Sequence, residues 1–344
     1  DEMDKGDVEV IMVKIDIISG FLGAGKTTLI KKLLQDAFKG QQVVLIENEF
    51  GEIGIDGGFL KDAGIEIKEM NSGCICCSLV GDFGTSLKEV VTKYDPDRIL
   101  IEPSGVGKLS DVIKAVQGVQ DEVDIKLNSY TTVVDAKKCK MYMKNFGEFF
   151  DNQIQYAGAI IMSRTDIASE KKVQESLELL RSLNKDAAII TTPIENLDGK
   201  KLVEVMEHPV SLEQEMLEEE HEHHHHHDGE CGCGHDHEEH EHHHHHDGEC
   251  GCGHDHHHHH ADEVFTSWGR ETIKKYTREG LEKILEALSE SDKYGIILRA
   301  KGMLPAEDGT WIYFDMVPEE TEIREGAPEY TGRLCVIGSK LDEH

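Results

Sequence analysis

A doubly wound, mostly parallel α/β sheet followed by a smaller α+β unit is the architecture this sequence predicts, and three observations predict it. Short Val/Ile-rich runs alternate with amphipathic stretches from residue 10 to about 206. Composition then breaks abruptly, and beyond the break one helical face and several strand-like runs return.

The runs are VIMVKIDIIS (10–19), VVLIEN (43–48), RILIEP (98–103), TTVVDA (131–136), GAIIMS (158–163) and AAIITT (187–192). Their Val/Ile content suits strands covered on both faces. Between them, Lys26–Phe38 and Ser169–Leu183 predict helices, so strand and helix alternate as a parallel sheet requires. The expected units are 8–210 for this sheet, 211–263 for an insert and 264–344 for the tail. In the tail, Leu281, Ile284, Leu285 and Leu288 make one helical face, and YGIILRA (294–300), TWIYFDM (310–316) and RLCVIGS (333–339) predict strands.

The insert holds 17 acidic residues and no Lys or Arg, about half of the chain's net charge of -32. It has almost no apolar surface from which to build a core. Within it HEHHHHHDGECGCGHDH occurs at 221–237 and again, identically, at 240–256, a 19-residue period without an apolar face to stack.

Gly20-Phe21-Leu22-Gly23-Ala24-Gly25-Lys26-Thr27 matches G-x-x-x-x-G-K-[ST] between a predicted strand and a predicted helix, the setting that a phosphate-binding loop requires. Gly20, Gly23, Ala24, Gly25 and Thr28 form the cradle, Lys26 reaches the β- and γ-phosphates, and the Thr27 hydroxyl ligates Mg²⁺. Glu102, at a strand end, is placed to hold Mg²⁺ through water or to orient the attacking water, and Gly105 lets the backbone follow the γ-phosphate. Ser163, Arg164 and Asp166 stand where a guanine site carries N/T/S-K-x-D, the Asp accepting two hydrogen bonds from the base. Arg in place of Lys keeps the charge and can stack on a base, so GTP/GDP is favoured while ATP use stays open.

Cys74, Cys76 and Cys77 offer three thiolates within four residues, suited to one soft or borderline ion; a structural metal and a redox thiol cluster are the alternatives. The insert carries 20 of the chain's 22 His. Its candidate ligands are His223, His225, Cys231, Cys233, His235 and His237 in the first copy of the repeat. In the second they are His242, His244, Cys250, Cys252, His254 and His256. Imidazole with thiolate suits Zn²⁺, with Co²⁺ and Ni²⁺ as alternatives. Cys139 and Cys335 stand alone and are expected in the core.

GFLGAGKTT, IENEFGEIGID (46–56), the CICC cluster, Glu102 with Ser104-Gly105, and SRTD resemble the CobW-type GTPases, relatives of UreG and HypB, in order and spacing. The tail resembles their C-terminal domain through Ser267-Trp268-Gly269-Arg270, LRAKGML (298–304), Trp311 and CVIGSKLDE (335–343). The resemblance implies GTP hydrolysis coupled to delivery of a transition metal to a client metalloprotein. It adds Glu47 and Glu52 to the three cysteines as ligands. A metal buffer with a regulatory nucleotide site and a P-loop ATPase or kinase are the competing classes.

With 68 acidic against 36 basic residues, binding to nucleic acid or an anionic membrane is disfavoured. No apolar run approaches the roughly 20 residues needed to span a bilayer, and DEMDKGD has no signal-like start. The expectation is a cytoplasmic protein, with a homodimer left open.

Overall fold

The computed structural model describes residues 12–47, 66–69, 80–209, 266–290, 292–318 and 320–342. Cys74, Cys76, Cys77, Glu52 and every candidate ligand of the insert lie outside the described residues.

The first unit is a seven-stranded sheet of order β3-β2-β4-β1-β5-β6-β7, with every pairing parallel. Its strands are β1 (Val13–Gly20), β2 (Val43–Glu47), β3 (Glu66–Glu69), β4 (Arg98–Glu102), β5 (Ile125–Asp135), β6 (Ala159–Ser163) and β7 (Ala188–Ile190). The near-continuous burial along these strands has a simple cause: alternate residues feed two separate cores. Ile15, Ile17, Val44, Ile46, Ile99, Ile101, Ile160 and Met162 face one layer. Ile18, Val43, Leu45, Leu100, Ala159 and Ile161 face the other.

The first layer is covered by α2 (Val80–Tyr94), α3 (Leu109–Gln117), α4 (Cys139–Gln155) and α5 (Glu170–Leu183), through Phe83, Leu87, Val112, Phe150, Ile154 and Leu177. The second is covered by α1 (Lys26–Asp36) and α6 (Gly199–Glu207), through Leu29, Leu33, Leu202 and Val205. Ser169 caps α5, its side chain accepting from the Lys172 N–H, so this helix starts one residue after the expected boundary. Cys139 and Cys335 are both fully buried, as expected.

The second sheet is antiparallel, of order β11-β10-β9-β12-β8. Its strands are β8 (Thr266–Thr272), β9 (Ile296–Pro305), β10 (Trp311–Val317), β11 (Glu320–Gly326) and β12 (Gly332–Ser339). One face packs on α7 (Arg278–Glu290) through Leu281, Leu285, Ala300, Leu304, Phe314 and Val336. The three strands expected here are β9, β10 and β12. The two outer strands, TSWGRET and ETEIREG, are mostly polar and none of their residues is fully buried, so they carry little alternation to detect. Among the described residues no helix is long and apolar enough to cross a membrane.

Candidate functional site

Strand order reverses at β1, with β4 on one side and β5 on the other, which opens a crevice at the carboxyl ends of the strands. Polar residues converge there because they are strand-final: β2 ends in Glu47, β4 in Glu102, β5 in Asp135 and β6 in Ser163. Glu47, Glu102 and Asp135 are all buried. Glu47 and Glu102 are register neighbours on adjacent strands.

The turn Gly20–Thr27 crosses this edge from β1 into α1. Gly20 has φ +149 and a Cβ there would meet the Val133 carbonyl at 2.6 Å, so glycine is required on both counts. Lys26 is buried, its Nζ donating to the Gly20 carbonyl at 2.9 Å and lying 3.9 Å from the Glu102 carboxylate. Thr27 and Thr28 are exposed in the first turn of α1. Phe21 anchors the turn from below, its ring 4.5 Å from that of Tyr142 and 5.3 Å from that of Phe146. At Phe146 the backbone of α4 leaves helical geometry.

Gly105 lies against the same turn. A Cβ on it would meet Leu22 Cδ2 at 2.8 Å and the Leu22 nitrogen at 3.0 Å, so only glycine lets the loop after β4 come this close. Gln153, fully buried on α4, fixes that loop by donating to the carbonyls of Gly105 at 3.2 Å and Gly107 at 2.9 Å.

The Ser163 hydroxyl donates to the Ala24 carbonyl at 2.6 Å, pinning β6 to the phosphate loop. Arg164 has φ +59; its guanidinium pairs with Asp135 and donates to the Gly23 carbonyl at 3.0 Å. The cation after Ser163 thus staples loop to sheet. Asp166 is exposed and lines a cavity of about 240 Å³ with Ala24, Gly25, Thr28, Ser163 and Arg164. Pro193, Ile194 and Glu195, from the turn after β7, also line it. A larger, more apolar cavity of about 570 Å³ lies between α7 and the second sheet and shares no residue with the phosphate loop. The smaller one holds the convergent polar groups that mark a specific site.

The structure therefore brings together Gly20, Gly23, Ala24, Gly25, Lys26, Thr27, Thr28, Glu102, Gly105, Ser163, Arg164 and Asp166, with Glu47 beside Glu102. Among the described residues no three His, Cys, Asp or Glu side chains gather as a metal site. Sequence reasoning passed over Asp135, Gln153 and the Pro193–Glu195 turn. Asp135 carried the same signal as Glu102, a carboxylate ending a buried strand beside the phosphate loop. Gln153 and the turn carried none, because their role depends on which elements pack together.

Residues 14–191, over half of the chain, match the family model described as the CobW/HypB/UreG nucleotide-binding domain. The chain is 30% identical over 191 residues to the zinc chaperone YeiR of Escherichia coli (strain K12), covering 56% of this chain and 58% of that protein. It is 25% identical over 333 residues to zinc-regulated GTPase metalloprotein activator 1 of Schizosaccharomyces pombe, covering 90% of this chain and 76% of that protein. Zn(II)-bound YjiA GTPase from E. coli aligns with a TM-score of 0.42 at 19% identity over 96% of each chain. The chain spans less than two thirds of the length of YeiR and, at 59%, of the zinc chaperone YjiA of E. coli (strain K12). The phosphate loop, the strand-final Glu102 and the Ser163–Asp166 turn all fall inside the matched span, and the chain belongs to the CobW/HypB/UreG family.

Proposed function

We propose that this chain hydrolyses GTP and uses the cycle to load a transition metal, Zn²⁺ in the first instance, onto a client metalloprotein. The observation that carries the reading is the convergence, on one sheet edge, of a lysine-bearing phosphate loop, a strand-final carboxylate 3.9 Å from that lysine, and a separate cavity edged by Asp166. The names of the relatives, zinc chaperones and a zinc-regulated GTPase, support the choice of metal and of guanine.

On this reading residues 8–210 bind nucleotide, 211–263 collect metal and 264–344 form the C-terminal domain. Lys26 exchanges its bonds to the Gly20 and Phe21 carbonyls for β- and γ-phosphate oxygens, so its position is already set before nucleotide arrives. The amides at the start of α1 take the remaining phosphate oxygens. Glu102 orients the attacking water. Asp166 accepts from the two donors on the guanine edge, which adenine lacks. The donor set fits Mg²⁺, since Thr27 and Glu102 offer hard oxygens; that ion would neutralise charge on the phosphates.

The metal is cargo. Cys74, Cys76 and Cys77 with Glu47 and Glu52 are the proposed transfer site, the three thiolates suiting Zn²⁺. The His/Cys repeat is the proposed collecting site. Turnover of GTP by purified full-length protein, with and without stoichiometric Zn²⁺, Co²⁺ or Ni²⁺ and with ATP as comparator, tests the reading. GTP turnover that responds to metal is expected; no turnover of GTP under any condition would remove the enzyme from the account.

A further inference from the structure

One loop of the parallel-sheet unit is tied to the second sheet where it enters the base cavity. The chain leaves β7 at Ile190 and runs through Thr191 and Thr192 into Pro193, Ile194 and Glu195, which line the cavity with Asp166. Thr191 and Thr192 are buried, 7% and 9% exposed. Their peptide N–H groups donate to the Tyr330 carbonyl at 2.9 and 3.1 Å. The Thr191 and Thr331 hydroxyls are 2.9 Å apart, and the Thr192 hydroxyl donates to the Glu329 carbonyl at 2.6 Å.

The anchoring segment, Glu329 to Thr331 between β11 and β12, is itself held from several sides. Lys201 of α6 lies 3.5 Å from the Glu329 carboxylate, and Tyr313 donates its hydroxyl to the same carboxylate at 3.1 Å. Arg333 donates to the Tyr330 hydroxyl at 3.1 Å, while Tyr330 packs into the core beneath α1 and α6. Pro193, at φ -52, has a locked backbone torsion, so the direction fixed at Thr192 passes unchanged into the turn Ile194–Asn196.

We propose that Thr191 and Thr192 are positioning residues for the base, and that the Glu329–Thr331 segment of the second sheet is thereby a built-in part of the nucleotide site. The proposal rests on reading the Asp166 cavity as the base site. The clamp sets affinity for the guanine nucleotide without touching the phosphates. By linkage, bound nucleotide must in turn strengthen the contact between the two sheets.

The test uses full-length protein. Thr192→Val keeps the side-chain shape and deletes the hydroxyl, whereas Thr192→Ser restores it. Thr192→Val is expected to raise both the GDP Kd, read by titration with a fluorescent GDP analogue, and the KM for GTP by about tenfold. It should leave kcat within about twofold, and Thr192→Ser should recover the wild-type values. A lower melting temperature with unchanged Kd and KM would overturn the proposal, because the clamp would then be structural only. If the wild type binds guanine nucleotide and Asp166→Ala weakens it but Thr192→Val does not, the clamp fails and the base site stands. If the wild type binds none, both fall. Should Thr192→Val not fold, the wild type still decides: saturating GDP should slow amide hydrogen exchange at Thr191 and Thr192 by about tenfold. Unchanged exchange there would overturn the proposal.

Discussion

The two ends of the parallel sheet use similar residues for opposite purposes. Toward the N-terminal ends of the strands, Asp16 accepts from Arg98, from Asn128 at 2.8 Å and from Ser129 at 2.6 Å. Arg98 also reaches Glu207 at 2.9 Å and Gln41 at 3.2 Å, and lies 4.3 Å over the Phe38 ring. That network is closed, with donors and acceptors spent on each other and Asp16 and Arg98 both buried. At the C-terminal ends the loop carbonyls and Glu102 hold Lys26, while Thr27, Thr28 and Asp166 are left at the surface. Charge at a sheet edge is therefore not by itself a site. A closed network stabilises one conformation, whereas an open edge keeps groups oriented for something absent from the chain.

The largest expected effect is at the open end. Lys26→Ala should lower kcat for GTP by at least about a hundredfold while circular dichroism still reports the native fold. Turnover at the wild-type rate would sever the phosphate loop from the proposed chemistry.

At the closed end the loss should appear in stability instead. Arg98→Leu strands Asp16 in the interior without its cation, and denaturant titration should register a loss of about 3 kcal/mol or more. A change below about 0.5 kcal/mol would mean that Asn128 and Ser129 satisfy Asp16 alone.

A smaller, more selective effect is expected at the Asp166 cavity. Asp166→Ala should weaken GTP binding by about tenfold or more and ATP binding far less, measured as a ratio of dissociation constants. Equal losses would show that Asp166 does not read the base.

Glu207 gives the comparison a pH signature. Burial opposes its ionisation, but hydrogen bonds from Asn128 and Arg98, with the charges of Arg98 and Lys14, hold its carboxyl below the usual 4.5. A folded-state value below the unfolded one contributes stability above the unfolded value and loses it as pH falls through the folded one. Glu207→Gln should therefore be less stable than wild type near neutrality, with the gap narrowing below about pH 4. A constant gap would remove Glu207 ionisation from the network.

The smallest effect is an absence of reaction. Burial pushes the Cys139 thiol up to about 11, against a hydrogen bond with Ser176, so it stays protonated and shielded. Alkylating reagents should leave Cys139 and Cys335 unlabelled in the native protein, both being fully buried. Rapid labelling of either would contradict their core placement.

Much of the open end was legible because its chemistry is local. The phosphate loop, Glu102 and the Ser163–Asp166 turn are short motifs at strand ends, and strand ends show as breaks in apolar runs. The seven-residue β8 and β11 were not legible, because an edge strand exposed on one face has no apolar run to break. The 17-residue α4 was missed for another reason: only Cys139, Phe150, Gln153 and Ile154 on it are fully buried, and Phe146 interrupts its helical geometry. The clamp at Thr191 and Thr192 joins residues 137 to 140 positions apart, beyond any local pattern. The proposed thiolate ligands lie outside the described residues.

Coupling between nucleotide state and metal binding is read by titrating Zn²⁺ against a competing chelator into full-length protein. The protein is loaded either with GDP or with a non-hydrolysable GTP analogue. One class of Zn²⁺ site is expected whose affinity differs between the two states by about fivefold or more. That difference should vanish when Cys74, Cys76 and Cys77 are all replaced by Ser. Superimposable isotherms in the two states, with GTP turnover indifferent to Zn²⁺, would contradict that coupling.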